Sequence, residues 1–218
     1  MLFLLPLGLF ATSILACEDG VDNIIKFTDT TKGKGKVLFH DFEIATYDEH
    51  KEPYCLNGNP VFKLPGHFKL HKGNVEVKEV IKDSPTLELA LTVEKDSWII
   101  GTVCENGKSK NSFVPDQLKF TLCTLAPNLC TLLKIKTNGP IDATAFVDDK
   151  LIDIGALPIP QLGGDWKFSA KIVQGGKTIA GVQLFNGRQW LTIESDEGNG
   201  SGIQYDAQPP KQGDHEEL

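Results

Sequence analysis

The sequence predicts an all-β fold, an immunoglobulin-like sandwich of two antiparallel sheets. In residues 87–94 and 166–172, large apolar side chains alternate with polar or small ones, as in strands with one face on a core. Turn signals separate such runs, among them Pro65-Gly66, Asn106-Gly107 and Gly175-Gly176. No long helical pattern interrupts them, and strands at this spacing are typical of a sandwich.

Shorter apolar runs predict the remaining strands. They are Val37–Phe39 with Phe42 and Ile44, then Val75 with Val77, then Leu118 with Phe120 and Leu122. Gly-Gly at 175–176 and Asn-Gly at 186–187 lie between alternating runs, so each predicts a tight hairpin.

The chain has 218 residues, 40% of them hydrophobic, which is enough for one domain with a substantial core. Residues 1–16 are an apolar run too short to span a bilayer comfortably, which predicts a signal peptide cleaved after Ala16. Residues 17–54 are either an added segment or the first strands, and residues 55–196 form the sandwich. Residues 197–218 lose the alternation and are rich in Gly, Gln, Pro and acid, which predicts a disordered acidic tail.

Both ends of the chain predict a secreted protein or one in the lumen of the secretory pathway. Asn199 begins a glycosylation sequon in the predicted tail. The last residues, His215, Glu216, Glu217 and Leu218, resemble an endoplasmic-reticulum retention signal. Residues 14–17 also resemble a bacterial lipobox, which would lipidate Cys17, but no Lys or Arg precedes the apolar run.

Five cysteines are present: Cys17, Cys55, Cys104, Cys123 and Cys130. In an oxidising compartment an even number should pair, so Cys17 or another thiol is left over. If it is Cys17, four cysteines allow three connectivities, among which the sequence does not choose. The spacing of Cys123 and Cys130 is wider than in a zinc knuckle, and no histidine cluster accompanies them, so we expect no metal site.

Charge and motifs exclude two classes of function. The net charge of −7 and the pI near 5.2 argue against nucleic-acid binding, which depends on clustered Lys and Arg. The chain has no Gly-x-Ser-x-Gly elbow, no His-Glu-x-x-His motif and no phosphate-binding glycine loop. We therefore expect no catalytic residue and no cofactor.

An apolar segment interrupted by prolines precedes the strand at 166–172. It contains Leu157, Ile159 and Leu162, while Pro158 and Pro160 keep the segment extended and out of a central ladder. Exposed apolar surface of this kind marks a partner or a ligand entrance. The other interpretation is a lid folded back onto the core.

Three segments of the chain carry a resemblance to a known family. They are PGHFKLHKGNVEVKEVIKDSPTLELALTVEKDSWIIGTVCENG, FTLCTLAPNLC and DDKLIDIGALPIPQLGGDWKFSAKIVQGGKTIAGVQL. In order and spacing they resemble the ganglioside-activator branch of the ML (lipid-recognition) superfamily. Together they fall within residues 65–185, about half of the chain. This chain departs from the family at two cysteine positions: residues 181–183 offer no cysteine where the family has one in its closing strand, and Ser109 and Ser112 occupy the region where the family has another.

The resemblance implies a β-cup, two antiparallel sheets splayed apart around an apolar cavity that holds the acyl chains of a lipid. It implies a mouth that contacts membranes, formed by Trp98, Ile99, Leu157, Ile159 and Leu162. It implies a cavity lined by Leu87, Leu89, Leu91, Val93, Trp166, Phe168 and Ile172. The expected partners are a lipid or other apolar small molecule, a membrane surface in passing, and a lipid-processing enzyme to which the lipid is presented.

The resemblance also bears on the cysteines. This chain is expected to have fewer disulfides than the family, with Cys123 paired to Cys130 and Cys55 paired to Cys104. Either Cys17 or Cys55 stands for the first cysteine of the family. The predicted function is noncovalent lipid binding for transfer or presentation; the alternative is a secreted interaction or adhesion sandwich with a solid core and no lipid.

Overall fold

The structure, a computed structural model, describes residues 17–110, 119–125, 127–146, 151–154, 163–185 and 190–195. Two short helices, α1 (Leu122–Leu125) and α2 (Pro127–Leu133), and a 3-10 turn at Thr144–Phe146 accompany the strands. The strands in chain order are β1 (Ile24–Asp29), β2 (Val37–Asp48), β3 (Cys55–Leu56), β4 (Asn59–Pro60), β5 (Phe62–Leu64), β6 (Gly66–Val77), β7 (Leu87–Lys95), β8 (Thr102–Glu105), β9 (Lys108–Ser109), β10 (Lys119–Thr121), β11 (Ile141–Asp142), β12 (Ile152–Asp153), β13 (Gly164–Gln174), β14 (Lys177–Leu184) and β15 (Leu191–Ser195).

The predicted fold class is confirmed: the described chain is an all-β, antiparallel, sandwich-like protein. The main ladder runs β11-β6-β2-β1-β14-β13-β7-β8-β9, with β10 beside β7 and β12 beside β6. β15 pairs antiparallel with β13 and parallel with β5. The ladder is continuous, so the pairing of β1 with β14 joins one half of the sheet, β6-β2-β1, to the other, β14-β13-β7.

Two buried clusters contain side chains from both halves of the sheet, which is what makes the fold sandwich-like. The first cluster combines Ile25 and Ile44 with Val93 and Trp166. The second combines strand residues such as Val37 with Ile172 and with residues of α2. The sheet therefore turns one face, which we term the inner face, toward itself, and its other face is the outer face.

The strands predicted at 87–94 and 166–172 are confirmed as parts of β7 and β13. β7 pairs along its whole length with β13, with Leu89 opposite Ile172, Leu91 opposite Ala170 and Lys95 opposite Trp166. Directly opposed residues of an antiparallel pair point to the same face. The large apolar residues of both strands therefore share the inner face.

A bulge in β2 explains why the apolar pattern around residue 40 breaks its period of two. Asp41 has a φ of 49°, and the pairing with β6 shifts register between His40 and Ile44. The extra residue returns Phe42 to the same face as Phe39, and the two rings meet edge to face with centroids 5.3 Å apart. Across the pair, Gly73 leaves room for the Phe42 ring, which a Cβ there would meet.

Two strand predictions are wrong in part. Gly175 and Gly176, with φ of 55° and 78°, do form the predicted hairpin turn between β13 and β14. Residues 186–187 lie outside the described residues, but β15 pairs with β13 and β5 instead of β14, so no hairpin joins β14 to β15. Leu122 begins α1 and does not continue β10, and its side chain is buried in the second cluster.

Residues 24–48 are integral to the sheet. β1 and β2 lie between β6 and β14 in the main ladder. The side chain of Asn23 is fully buried and donates to the carbonyl oxygen of Thr46 at 2.9 Å, which holds the start of β1 against β2. None of the helices in the described ranges has the length and apolar character needed to cross a bilayer.

Two tryptophans provide a test of the core. Trp166 is 1% exposed and Trp98 is 95% exposed. We expect Trp166→Ala to lower the free energy of unfolding by about 3–5 kcal/mol, because it leaves a large cavity in the first cluster. Trp98→Ala should change it by less than about 0.5 kcal/mol. Urea denaturation of both variants measures the difference, and equal losses would contradict this core.

Candidate functional site

The disulfides correct one sequence prediction and confirm another. Cys123 pairs with Cys130, as predicted. Cys17 pairs with Cys55, their Cα atoms 5.7 Å apart, so the predicted Cys55–Cys104 bridge is wrong. Cys104 is a free thiol.

The position of Cys104 explains why it is not bridged. It lies on β8 opposite Val93, fully buried in the first cluster, and its Sγ donates to the carbonyl oxygen of Leu91 at 3.3 Å. Burial raises the pKa of the thiol, an effect partly offset by the backbone of Gly107. The protonated form is therefore favoured, and Cys104 acts as a small apolar core residue.

We expect a thiol-specific chromogenic reagent to find no reactive thiol in the native protein, since Cys104 is buried. In denaturant without reductant it should find the one thiol left by the two bridges. Peptide mapping under non-reducing conditions identifies the labelled residue. Labelling at Cys17 or Cys55, or a peptide linking Cys55 to Cys104, would contradict this connectivity.

The inner face carries a band of apolar side chains that are only partly buried. Among them are Phe27 of β1, Phe42 of β2, Phe68 and Leu70 of β6, Leu89 and Leu91 of β7, Phe120 of β10 and Phe168 of β13. All of them pack against one of the two buried clusters and still reach solvent. Inward residues of a close-packed sandwich are fully buried, so this band leaves apolar surface on the inner face available for contact.

Strand register brings the members of this band together. Phe27 lies opposite Phe42, Ile44 lies opposite Leu70, and Phe120 lies opposite Leu89. Opposed residues share a face, so both halves of the sheet contribute to one surface.

The predicted cavity residues divide into two groups. Leu87, Val93, Trp166 and Ile172 are buried in the clusters, and Leu89, Leu91 and Phe168 are partly exposed on the same face. Sequence reasoning missed the contributions of β1, β2, β6 and β10, namely Phe27, Phe42, Phe68, Leu70 and Phe120. Their aromatic character was a signal, but only strand pairing shows that they share the inner face.

Trp98 and Ile99 form the tip of the β7–β8 connection, where they are 95% and 72% exposed. Hydrogen bonds to Ser97 stabilise the turn beneath them: the amides of Ile99 and Ile100 donate to Ser97 Oγ at 3.3 and 3.2 Å. The amide of Gly101 donates to the carbonyl oxygen of Ser97 at 2.8 Å. Hydrogen bonds within the turn therefore accompany two large apolar side chains that are exposed to solvent.

Lys95 ends β7 at the base of this turn, on the inner face opposite Trp166. Its Nζ lies 4.6 Å from the centroid of the Trp166 ring and donates to the carbonyl oxygen of Gly163. Burial lowers the pKa of Lys95, an effect partly offset by the carboxylate of Asp165. Sequence reasoning did not single out this lysine, although its place in the alternation of residues 87–95 puts it on the apolar face.

The outer face carries a groove lined by polar side chains, unlike the inner face. A groove of about 650 Å³ lies over β13 and β14 and is lined by polar side chains that include Thr92, Asn106, Ser169, Lys171 and Gln183. A second groove of about 550 Å³ lies beside Leu56, Phe185 and Trp190. Hydroxyl, amide and charged groups line the larger groove, which distinguishes it from the apolar inner face.

Several predicted site residues lie outside the described residues. These are Leu157, Ile159 and Leu162 of the apolar segment, and Asn199 of the sequon. Residue 163, which follows the apolar segment directly, is described and lies next to Lys95.

These features define a disulfide-containing β-sandwich with a partly exposed apolar inner face and an exposed Trp-Ile turn. The sequence matches no known protein family, and no curated protein is significantly similar to it.

Proposed function

We propose that this protein binds a lipid, or another apolar molecule, noncovalently against the inner face of its sheet, for transfer between membranes or presentation to a lipid-processing enzyme. The observation that carries the proposal is the band of partly exposed apolar side chains contributed by both halves of the sheet. The proposal includes no chemical step.

Apolar burial supplies enough free energy for this function. Each methylene group moved from water to an apolar surface contributes about 0.8 kcal/mol, so an acyl chain of about twelve carbons contributes close to 10 kcal/mol. Five phenylalanines in the band offer flat, weakly directional contacts, which suit a flexible chain. Shape and length, more than hydrogen bonding, would then select the ligand.

The exposed Trp98-Ile99 turn supports exchange of the ligand at a membrane. Tryptophan is favoured at the membrane–water interface because its ring is apolar and its N–H is polar. The turn extends directly from β7, which also carries Leu89 and Leu91 of the inner face. A membrane contacted by the turn would therefore lie at one end of the apolar band.

The compartment belongs to the same proposal. Two disulfides, Cys17–Cys55 and Cys123–Cys130, favour an oxidising environment. Together with the predicted signal peptide, they support a protein that acts outside the cell or in the lumen of the secretory pathway.

A substitution that fills the inner face separates a lipid cup from a solid sandwich. Leu91 is partly exposed and lies opposite the small residue Ala170. We expect Leu91→Trp to change the free energy of unfolding by less than about 1 kcal/mol, because the ring enters open space, and to displace bound lipid. Native mass spectrometry of the full chain expressed in eukaryotic cells, followed by organic extraction, measures the lipid carried.

The matched control is Val93→Trp, two residues along the same face but fully buried, which should cost about 1–3 kcal/mol by overpacking. A comparable loss for Leu91→Trp would favour the solid sandwich. An unmodified protein that carries no lipid, and takes up none from phospholipid or glycolipid vesicles, would refute the proposal.

The membrane contact can be tested separately. We expect the double substitution Trp98→Ser with Ile99→Ser to weaken association with phosphatidylcholine vesicles by about tenfold or more, since burying such side chains contributes at least about 1.5 kcal/mol each. Vesicle flotation measures the bound fraction. The control substitutes two other exposed apolar residues, Val80→Ser with Ile135→Ser. Equal weakening by both pairs would show that the turn has no special role.

A further inference from the structure

Lys95 is a charged residue on an otherwise apolar face. It continues the inward series Leu87, Leu89, Leu91 and Val93 along β7, and it lies opposite the buried Trp166. A lysine at the end of a strand is ordinarily directed to solvent, because an ammonium loses hydration when it is covered. Here the side chain is half-buried, with its cation above an aromatic ring.

An aromatic ring, a carbonyl oxygen and a glycine accommodate the ammonium. The Trp166 ring lies beneath it, and this ring stacks in turn on Phe168, with centroids 6.4 Å apart. The carbonyl oxygen of Gly163 accepts one of its hydrogens. Gly164, with a φ of 114°, leaves the space that Nζ occupies, because a Cβ there would collide with it.

The charged side chains described near the ammonium do not form an ion pair with it. Asp165 is the acidic residue that acts on Lys95 electrostatically, but its Oδ1 accepts from Thr192 Oγ1 at 2.6 Å, on the outer face. Within the described part of the chain, no carboxylate lies within 4.0 Å of Lys95 Nζ. An ammonium has three hydrogens to donate, and among the described residues Gly163 accepts one of them.

We infer that the ligand of the inner face is an anionic lipid, whose carboxylate or phosphate head group pairs with Lys95 while its acyl chain lies along the apolar band. This inference rests on the proposed function and adds the class of ligand to it. Lys95 lies at the Trp98 end of β7, so the head group is placed at the membrane end of the site and the chain runs inward. A charge-assisted hydrogen bond in this partly desolvated position favours an anion over a neutral head of similar size.

The test compares ligands that share a chain and differ in charge. Hexadecanoate and hexadecanol are matched in chain length, and phosphatidic acid and phosphatidylcholine are compared in a second arm. Competition with a fluorescent fatty acid, using the full chain after its bound lipid has been removed, measures relative affinity. We expect the protein to prefer the anion of each pair by about tenfold to a hundredfold. The arm with the larger preference distinguishes a carboxylate from a phosphate.

Lys95→Met keeps the apolar stem and removes the charge, so it should abolish the preference while retaining binding of hexadecanol. Lys171→Met is the matched control: Lys171 lies on the outer face of β13, where its Nζ donates to Asn106 Oδ1 at 2.9 Å. It should leave the preference unchanged.

The outcomes separate the inference from the proposed function. Equal binding of anionic and neutral lipids by the unsubstituted protein would overturn the inference and leave lipid binding standing. A preference that persists in Lys95→Met would also overturn it. Failure to bind any of the four lipids would overturn both. The comparison within the unsubstituted protein does not depend on the folding of any variant.

Discussion

The antiparallel pairing of β7 with β13 is the constraint on which the proposed site depends. Nine residue pairs, from Lys95 with Trp166 to Leu87 with Gln174, fix one register along both strands. Because side chains alternate between faces, a shift of one residue would move Leu89, Leu91 and Lys95 to the outer face together. The inward positions of Leu89, Leu91 and Lys95 on β7, and of Trp166 and Phe168 on β13, are thus consequences of a single set of backbone hydrogen bonds.

The sequence was informative wherever the alternation was long. The strands predicted at 87–94 and 166–172 and the Gly175-Gly176 turn follow from period and turn chemistry alone. The inner face as a whole does not, since Phe27 and Phe42 meet through β1 and β2, and Phe42 reaches this face only through the bulge at Asp41. Pairing between distant strands is not encoded in local pattern, which is also why β15 was assigned the wrong neighbour.

The cysteines show a second limit of sequence reasoning. Cys104 lies on β8 between Val93 of β7 and Ser109 of β9, and nothing in its spacing distinguishes a buried thiol from half of a bridge. Cys17 was the first candidate for the unpaired cysteine. It pairs with Cys55 instead and links the segment before β1 to β3. Burial, which depends on the whole fold, determined the outcome.

For the proposed function, the short distance between Lys95 and Trp98 would have a consequence for the kinetics of lipid exchange. Three residues extend at most about 11 Å, which is far less than the roughly 30 Å of the hydrocarbon core, so the ammonium stays close to the turn and to the membrane surface. With the turn seated in the interface, the ammonium would lie at the level of the phosphates. A lipid could then pass from bilayer to protein while its polar head remains in the head-group layer. Only the acyl chain would cross from the hydrocarbon core to the protein. The slow step of extraction, exposure of the whole molecule to water, would be avoided.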